Sequence, residues 1–235
     1  MEIRKIATIY NAYTDRFGIP RQSGIAADVT SRIVFEKPYR TMDAVRGLAA
    51  FSHLWLIWEF SELKGGEAWR PVVRPPKLGG NVRVGVWATR SPYRPNPLGL
   101  SCVRLCKVEE TAEGPVLTVT GADLLSGTPI YDIKPYIPYA DRIEDAVGGF
   151  ADDHAADRLQ VVLTEGARAD AAVLSKDSEW TARLCDILAA DPRPAYQQDP
   201  DRQYGMRYDD CEVSFTVDGG VLTVLSMRTA DGADN

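Results

Sequence analysis

A chain of 235 residues, 45% hydrophobic and 9% aromatic, is long enough to bury one large core or two modest ones. It has no run of about 18 uninterrupted apolar residues. Its N-terminus, MEIRKIATIY, lacks the basic, apolar and small-residue order of a secretion signal, so the expectation is a cytoplasmic protein with no membrane partner. Cys102, Cys106, Cys185 and Cys211 form no CxxC pair and His53 and His154 are the only histidines, which argues against a zinc cage or a disulfide framework and predicts no metal.

Along the chain, residues 3–10, 32–36, 54–60, 82–88, 101–108, 116–121 and 130–134 read as short strands punctuated by Gly and Pro. In Val82-Arg83-Val84-Gly85-Val86 the apolar residues alternate, whereas Leu54-Trp55-Leu56-Ile57-Trp58 has no polar interruption and is assigned to strand by its aromatic and β-branched content. A short helix is expected over 41–51, where Met42, Val45, Leu48 and Ala49 recur at helical spacing. Seven strands with little helix predict a closed or nearly closed antiparallel barrel, which removes exposed edges. After residue 145 the character changes: a Gly, Ala and Asp-rich stretch over 145–157, a strand over 158–164, helices over 165–175 and 179–190 stopped by Asp191-Pro192-Arg193-Pro194, then a hairpin of 212–217 and 221–227 across Asp218-Gly219-Gly220. The fold class expected is mainly β, an N-terminal antiparallel barrel over 1–145 with a smaller α+β domain over 146–235.

The net charge of −6 hides a division. Residues 1–107 hold 17 Lys+Arg against 8 Asp+Glu, and the remainder 10 against 25. Between Glu67 and Glu109 there is no acidic residue, while Arg70, Arg74, Lys77, Arg83, Arg90, Arg94, Arg104 and Lys107 fall inside, a local positive potential suited to a polyanion or simply a solvated basic face. No phosphate loop, GxGxxG turn or GxSxG elbow is present. What stands out is polar residues held between prolines: Ile19-Pro20-Arg21-Gln22, Arg74-Pro75-Pro76, 90–97, and Asp132-Ile133-Lys134-Pro135-Tyr136. Proline fixes its own φ and restricts the residue before it, so such loops lose little entropy when a ligand binds.

Five stretches carry a resemblance: FGIPRQSG (17–24), DAVRGLAAFSHLWLIWEF (43–60), WRPVVRPPKLGGNVRVGVWATRSPYRPNPLGLS (69–101), DLLSGTPIYDIKPYIPYAD (123–141) and DPRPAY (191–196). In them the chain is similar to the TrmO (TsaA/YaeB-like) family of tRNA methyltransferases. That resemblance implies a barrel that uses S-adenosylmethionine without a Rossmann sheet, so the missing GxGxxG is expected. It also implies methyl transfer to N6 of threonylcarbamoyladenosine beside the anticodon, a tRNA anticodon arm as partner, and a homodimer.

For the cofactor, the resemblance points to Pro20, Arg21 and Gln22, to Ser61 and Glu62, to Arg90, and to Leu124, Leu125, Ser126, Gly127 and Thr128. Asp132 and Tyr136, flanking Lys134, are the catalytic candidates, as acceptors of the N6 proton. Lys134 or Arg94 is the alternative partner for the threonyl carboxylate, and an ion pair at a strand end is the plain alternative for Asp132 and Lys134. Arg74, Arg94, Asn96 and Arg193 are the expected RNA contacts. Two other readings stay open: a barrel that grips RNA without chemistry, and a methyltransferase acting on another small acceptor.

Overall fold

The computed structural model describes residues 2–61, 69–79, 81–154, 158–193 and 199–230. Strands β1 (Ala7–Tyr10), β2 (Thr30–Phe35) and β3 (His53–Glu59) are followed by two two-residue strands, β4 (Val72–Val73) and β5 (Val84–Gly85), and then by β6 (Leu98–Thr111), β7 (Gly114–Thr120) and β8 (Pro129–Pro135). Six of them close an antiparallel barrel in the order β1-β2-β7-β6-β3-β8. Its core is filled by Ile9, Ile33, Leu54, Leu56, Trp58, Val103, Leu117, Val119, Leu124 and Ile130. In β3 burial alternates strictly, with Leu54, Leu56 and Trp58 inward and Trp55 and Ile57 half-buried outside. The outer aromatic packs on Tyr136 at 5.7 Å between ring centroids, which explains why the middle of the outer face is apolar.

Two expectations are corrected. The helix over 41–51 is a pair of 3-10 turns, Met42–Val45 and Leu48–Ala50. Gly47 between them has φ +82°, a left-handed conformation that interrupts any continuous helix. The strand over 82–88 contributes only Val84–Gly85, paired with β4 in a separate two-stranded ribbon, before a 3-10 turn at Val86–Ala88. Alternating valines there serve a ribbon outside the barrel, so the barrel has six strands rather than seven.

The second half contains helix α1 (Pro138–Asp141), β9 (Gln160–Leu163), α2 (Glu165–Val173), α3 (Ser178–Ala189), β10 (Tyr204–Tyr208), β11 (Cys211–Asp218) and β12 (Val221–Thr229). The last four strands form a sheet ordered β10-β11-β12-β9, with β12 and β9 parallel. Thr164 caps α2 by accepting from Ala167 N, and Asp177 caps α3 by accepting from Trp180 N. Strand β10 was not anticipated, although Tyr204, Met206 and Tyr208 alternate inward in it. Together these elements give the mainly β chain, barrel first and a smaller α+β unit after, that the sequence suggests. Among the described residues no helix is long and apolar enough to cross a membrane.

The C-terminal core is not made by that half alone. Tyr13, Ala26 and Val29, from the β1–β2 connection, are buried with Trp180, Leu184, Tyr208, Phe215 and Val224, and Phe17 and Ile19 pack against the same cluster. The segment carrying Pro20, Arg21 and Gln22 is therefore held by both halves.

Candidate active site

Strand β6 pairs with β7 only from Arg104 onward, opposite Thr120. Before that point one edge of β6 is met by loops instead. Cys102 N donates to Ser23 Oγ at 3.3 Å, and Gly24 N to Gly121 O at 2.8 Å. The loops at 20–24, 88–97 and 121–128 thus meet at one end of the barrel. There Arg90 Nη1 donates to Gln22 Oε1 at 2.5 Å, joining two of the expected cofactor residues that are 68 positions apart.

Beneath that pair lies a polar chain that was not singled out in the sequence. Trp58 Nε1 donates to Ser101 Oγ at 2.9 Å, and the Ser101 hydroxyl, fully buried, donates to Asp123 Oδ1 at 2.5 Å. Burial pushes the Asp123 carboxyl above the ordinary aspartate range. The Ser101 hydroxyl, backbone groups of Asp123 and Ser23, and the Arg90 charge all pull the other way. A half-buried carboxylate that feels Arg90 and bonds the 20–24 loop is a foundation for the mouth. Its one sequence signal is an acid set between Ala122 and Leu124-Leu125 just past a strand.

The 124–128 loop is clamped from the other side by residues 9–13. Asn11 Nδ2 donates to Leu124 O at 2.9 Å, Asn11 N to Ser126 Oγ at 3.2 Å, Ser126 N to Tyr13 O and Gly127 N to Ile9 O, both at 2.8 Å. Leu124 and Thr128 are buried, Thr128 N closes on Leu125 O at 3.1 Å, and Gly127 sits at φ +88°. Pro20 to Gln22, Arg90 and Leu124 to Thr128 therefore share a region. Ser61 is exposed just beyond β3, and Glu62 lies outside the described residues.

Asp132 and Lys134 alternate along β8 opposite the outward Ile57 and Trp55, and Tyr136, just past the strand, packs on Trp55 on the same side. Asp132 and Lys134 form an ion pair at 2.9 Å, neighbours on one strand rather than across two, and Asp132 Oδ1 also accepts from Ile133 N at 2.9 Å. The register puts Asp132 opposite Ile57 and Ile57 opposite Leu100, so β3 and β6 lie between this trio and the Arg90–Gln22 pair. Sequence reasoning passed over Tyr131, whose hydroxyl donates to Glu59 Oε2, with its pKa pushed up to about 12 by that bond. It is a fixed phenol, not a base.

Several arginines have structural partners. Arg94 Nη1 donates to the carbonyls of Val86, Thr89 and Ser91 at 3.2, 2.7 and 3.4 Å, and its guanidinium lies 5.1 Å from the Trp87 ring centroid, so it staples its own loop. Arg21 Nη2 donates to Asp191 O at 3.2 Å and Arg193 O at 2.5 Å, while Arg193 holds Asp191 through two bonds of 2.9 and 3.0 Å and is 11% exposed. These residues line a groove of about 450 Å³ between the 15–21 segment and the end of α3. Arg74 and Asn96 remain exposed. Arg21→Ala removes two bonds that join the halves, at about 1–3 kcal/mol. A melting temperature lower by roughly 3–10 °C is expected, and an unchanged one would mean the bridge contributes nothing.

The fold is a closed six-stranded barrel with an appended α+β unit, unlike the doubly wound sheets that bind nucleotides at glycine-rich turns. The chain belongs to the TrmO family: residues 8–142 match the tRNA-methyltransferase O N-terminal domain and residues 156–230 the TrmO C-terminal domain. It is 38% identical over 231 residues, 97% of each chain, to an Escherichia coli protein named tRNA (adenine(37)-N6)-methyltransferase. A protein of the same name from Eikenella corrodens is 44% identical over 184 residues, 78% of this chain and 100% of the relative. A Pseudomonas aeruginosa relative, 40% identical over 214 residues and 90% of each chain, carries a provisional name for S-adenosylmethionine-dependent methyl transfer. The crystal structure of TrmO from Pseudomonas aeruginosa superposes with a TM-score of 0.76 at 33% identity, covering 98% of this chain and 97% of the other.

Proposed function

We propose that this protein methylates N6 of adenosine 37 in tRNA, in its threonylcarbamoyl form, with S-adenosylmethionine as donor. The observation that carries the reading is the convergence of Gln22, Arg90 and the 124–128 loop above the Asp123–Ser101–Trp58 chain. That donor set fits the cofactor: a guanidinium for its carboxylate, an amide and backbone groups for adenine, and apolar Leu125 beside them, with Leu124 anchoring the loop in the barrel core. When bound, the cofactor supplies an electrophilic methyl on a sulfonium, and positioning provides much of the acceleration. The chain's own residues do the rest. Arg90 would hold the carboxylate, Gln22 fixes Arg90 and would offer its amide N–H to the base, and the Asp123 charge acts on Arg90.

The N6 proton must leave as the methyl arrives, and we assign its acceptance to the side of the barrel that carries Asp132 of β8 and Tyr136 just beyond it. Lys134, 62% exposed, suits the threonyl carboxylate better than Arg94, whose Nη1 is already committed to three carbonyls. Because two strands separate that face from Arg90 within one chain, the reading includes a homodimer in the cytoplasm. Tyr139, Ile143 and Val147, each exposed after β8, offer apolar area that a second copy would cover.

The test is labelled methyl transfer to tRNA from a strain lacking the gene. Wild-type protein is expected to transfer label, and Arg90→Ala to weaken cofactor binding by calorimetry about 10- to 100-fold. Tight tRNA binding without transfer would leave an RNA-binding module, and an unchanged nucleoside profile in the deletion strain would mean another acceptor.

A further inference from the structure

The β4–β5 ribbon stands outside the barrel and is flanked by two exposed tryptophans, one before β4 and one after β5. Trp69 and Trp87 are 48% and 66% exposed, yet their rings lie 6.5 Å apart between centroids and within 22° of parallel. That distance is near the outer end of aromatic contact, so the pair is aligned without being closed on itself. Backbone bonds hold the alignment: Arg70 N donates to Tyr93 O at 3.1 Å and Val86 N to Pro71 O at 3.0 Å, tying the two ribbon arms and the 88–97 loop together. Arg70 lies 4.4 Å over the Tyr93 ring and Arg94 5.1 Å from the Trp87 ring, so cations border the aromatic surface. Arg74 and Arg83 are exposed on the same ribbon, and no acidic residue occurs between Glu67 and Glu109.

We propose that Trp69 and Trp87 form a stacking platform for unpaired bases of an RNA loop, with the exposed Arg74 and Arg83 taking its phosphates. An aromatic surface bordered by arginines matches single-stranded nucleic acid, whose bases stack on rings while its backbone needs positive charge. An apolar interface with a second copy of this chain would place two equally cationic ribbons against each other. The proposal rests on the tRNA reading above and adds the surface that grips the loop while the barrel mouth does the chemistry.

The test compares wild type, Trp69→Ala, Trp87→Ala, the double alanine variant and the double phenylalanine variant, using unmethylated tRNA and a 17-nucleotide anticodon stem-loop as probes. Each alanine substitution is expected to weaken binding of both probes by about 5- to 100-fold, with phenylalanine restoring most of it. Calorimetric affinity for S-adenosylmethionine should not move. The slope of log affinity against log salt should be unchanged in the tryptophan variants and shallower in Arg74→Ala and Arg83→Ala, because only the latter remove phosphate contacts. Wild-type tRNA affinity in the double alanine variant would overturn the platform, as would a change of mass in light scattering that accounts for the loss. A wild-type protein that binds no tRNA would instead sink the functional reading beneath it.

Discussion

Asp123→Asn is expected to leave the barrel folded while weakening S-adenosylmethionine binding by about 10-fold or more. The amide keeps an acceptor oxygen for the Ser101 hydroxyl, so the bond that continues to Trp58 survives. What it removes is the negative charge that Arg90 feels, and with it part of what holds the Arg90–Gln22 pair in place. Asp123→Ala differs: it leaves the buried Ser101 hydroxyl without its acceptor and should cost a further ~1–3 kcal/mol of stability.

Burial raises the Asp123 pKa in the folded protein above its unfolded value of about 3.9. The stability this group contributes is therefore fully present below that unfolded value and is lost as pH rises through the folded one. Wild type should lose stability across this acidic window relative to Asp123→Asn, whose curve is flatter there. Cofactor affinity has the opposite slope: it should fall in wild type as acid neutralises Asp123, and not in the variant. Chemical denaturation and calorimetry between pH 4 and neutrality read both. A variant with wild-type affinity and an unchanged pH profile would reduce Asp123 to a packing role.

The contrast between Asp123 and the arginines indicates what a sequence discloses about such a site. Strand β3 was legible from its aromatic and β-branched content, whereas the alternation over 82–88 belongs to a ribbon outside the barrel, and the turn at Asp218-Gly219-Gly220 was legible where glycines permit it, Gly219 lying at φ +54°. The segments of Gln22, Arg90 and Leu124 to Thr128, grouped by resemblance, lie at one end of the barrel. Which arginine is free was not legible. Arg21, Arg94 and Arg193 look like Arg74 in the sequence, but a guanidinium has five donors and any nearby carbonyl or carboxylate can claim them. Asp123 was hidden for the converse reason: its partners, Ser101 and Trp58, come from two neighbouring strands far away in sequence, and only strand pairing puts them in line.

That line of groups also depends on an absent side chain. Gly99 lies directly opposite Trp58 in the β3–β6 register, and a Cβ placed there would fall 2.2, 2.4 and 2.7 Å from three atoms of the indole. The ring has little room to yield. It is buried, packs on Phe60 at 4.3 Å between centroids, and spends its N–H on Ser101. Gly99→Ala should therefore destabilise the barrel by about 1–3 kcal/mol, the usual cost of overpacking a core. A melting temperature lower by roughly 3–10 °C would register it. If the clash is with Trp58, then Trp58→Leu, destabilising by itself, should absorb much of the alanine's cost, and the double variant should be markedly less than additive. Additive losses would mean that the alanine acts elsewhere on β6, and an unchanged melting temperature would mean that the indole moves freely. The second result would also remove the support proposed for Asp123, because a Trp58 free to leave Ser101 cannot orient the hydroxyl that the carboxylate accepts.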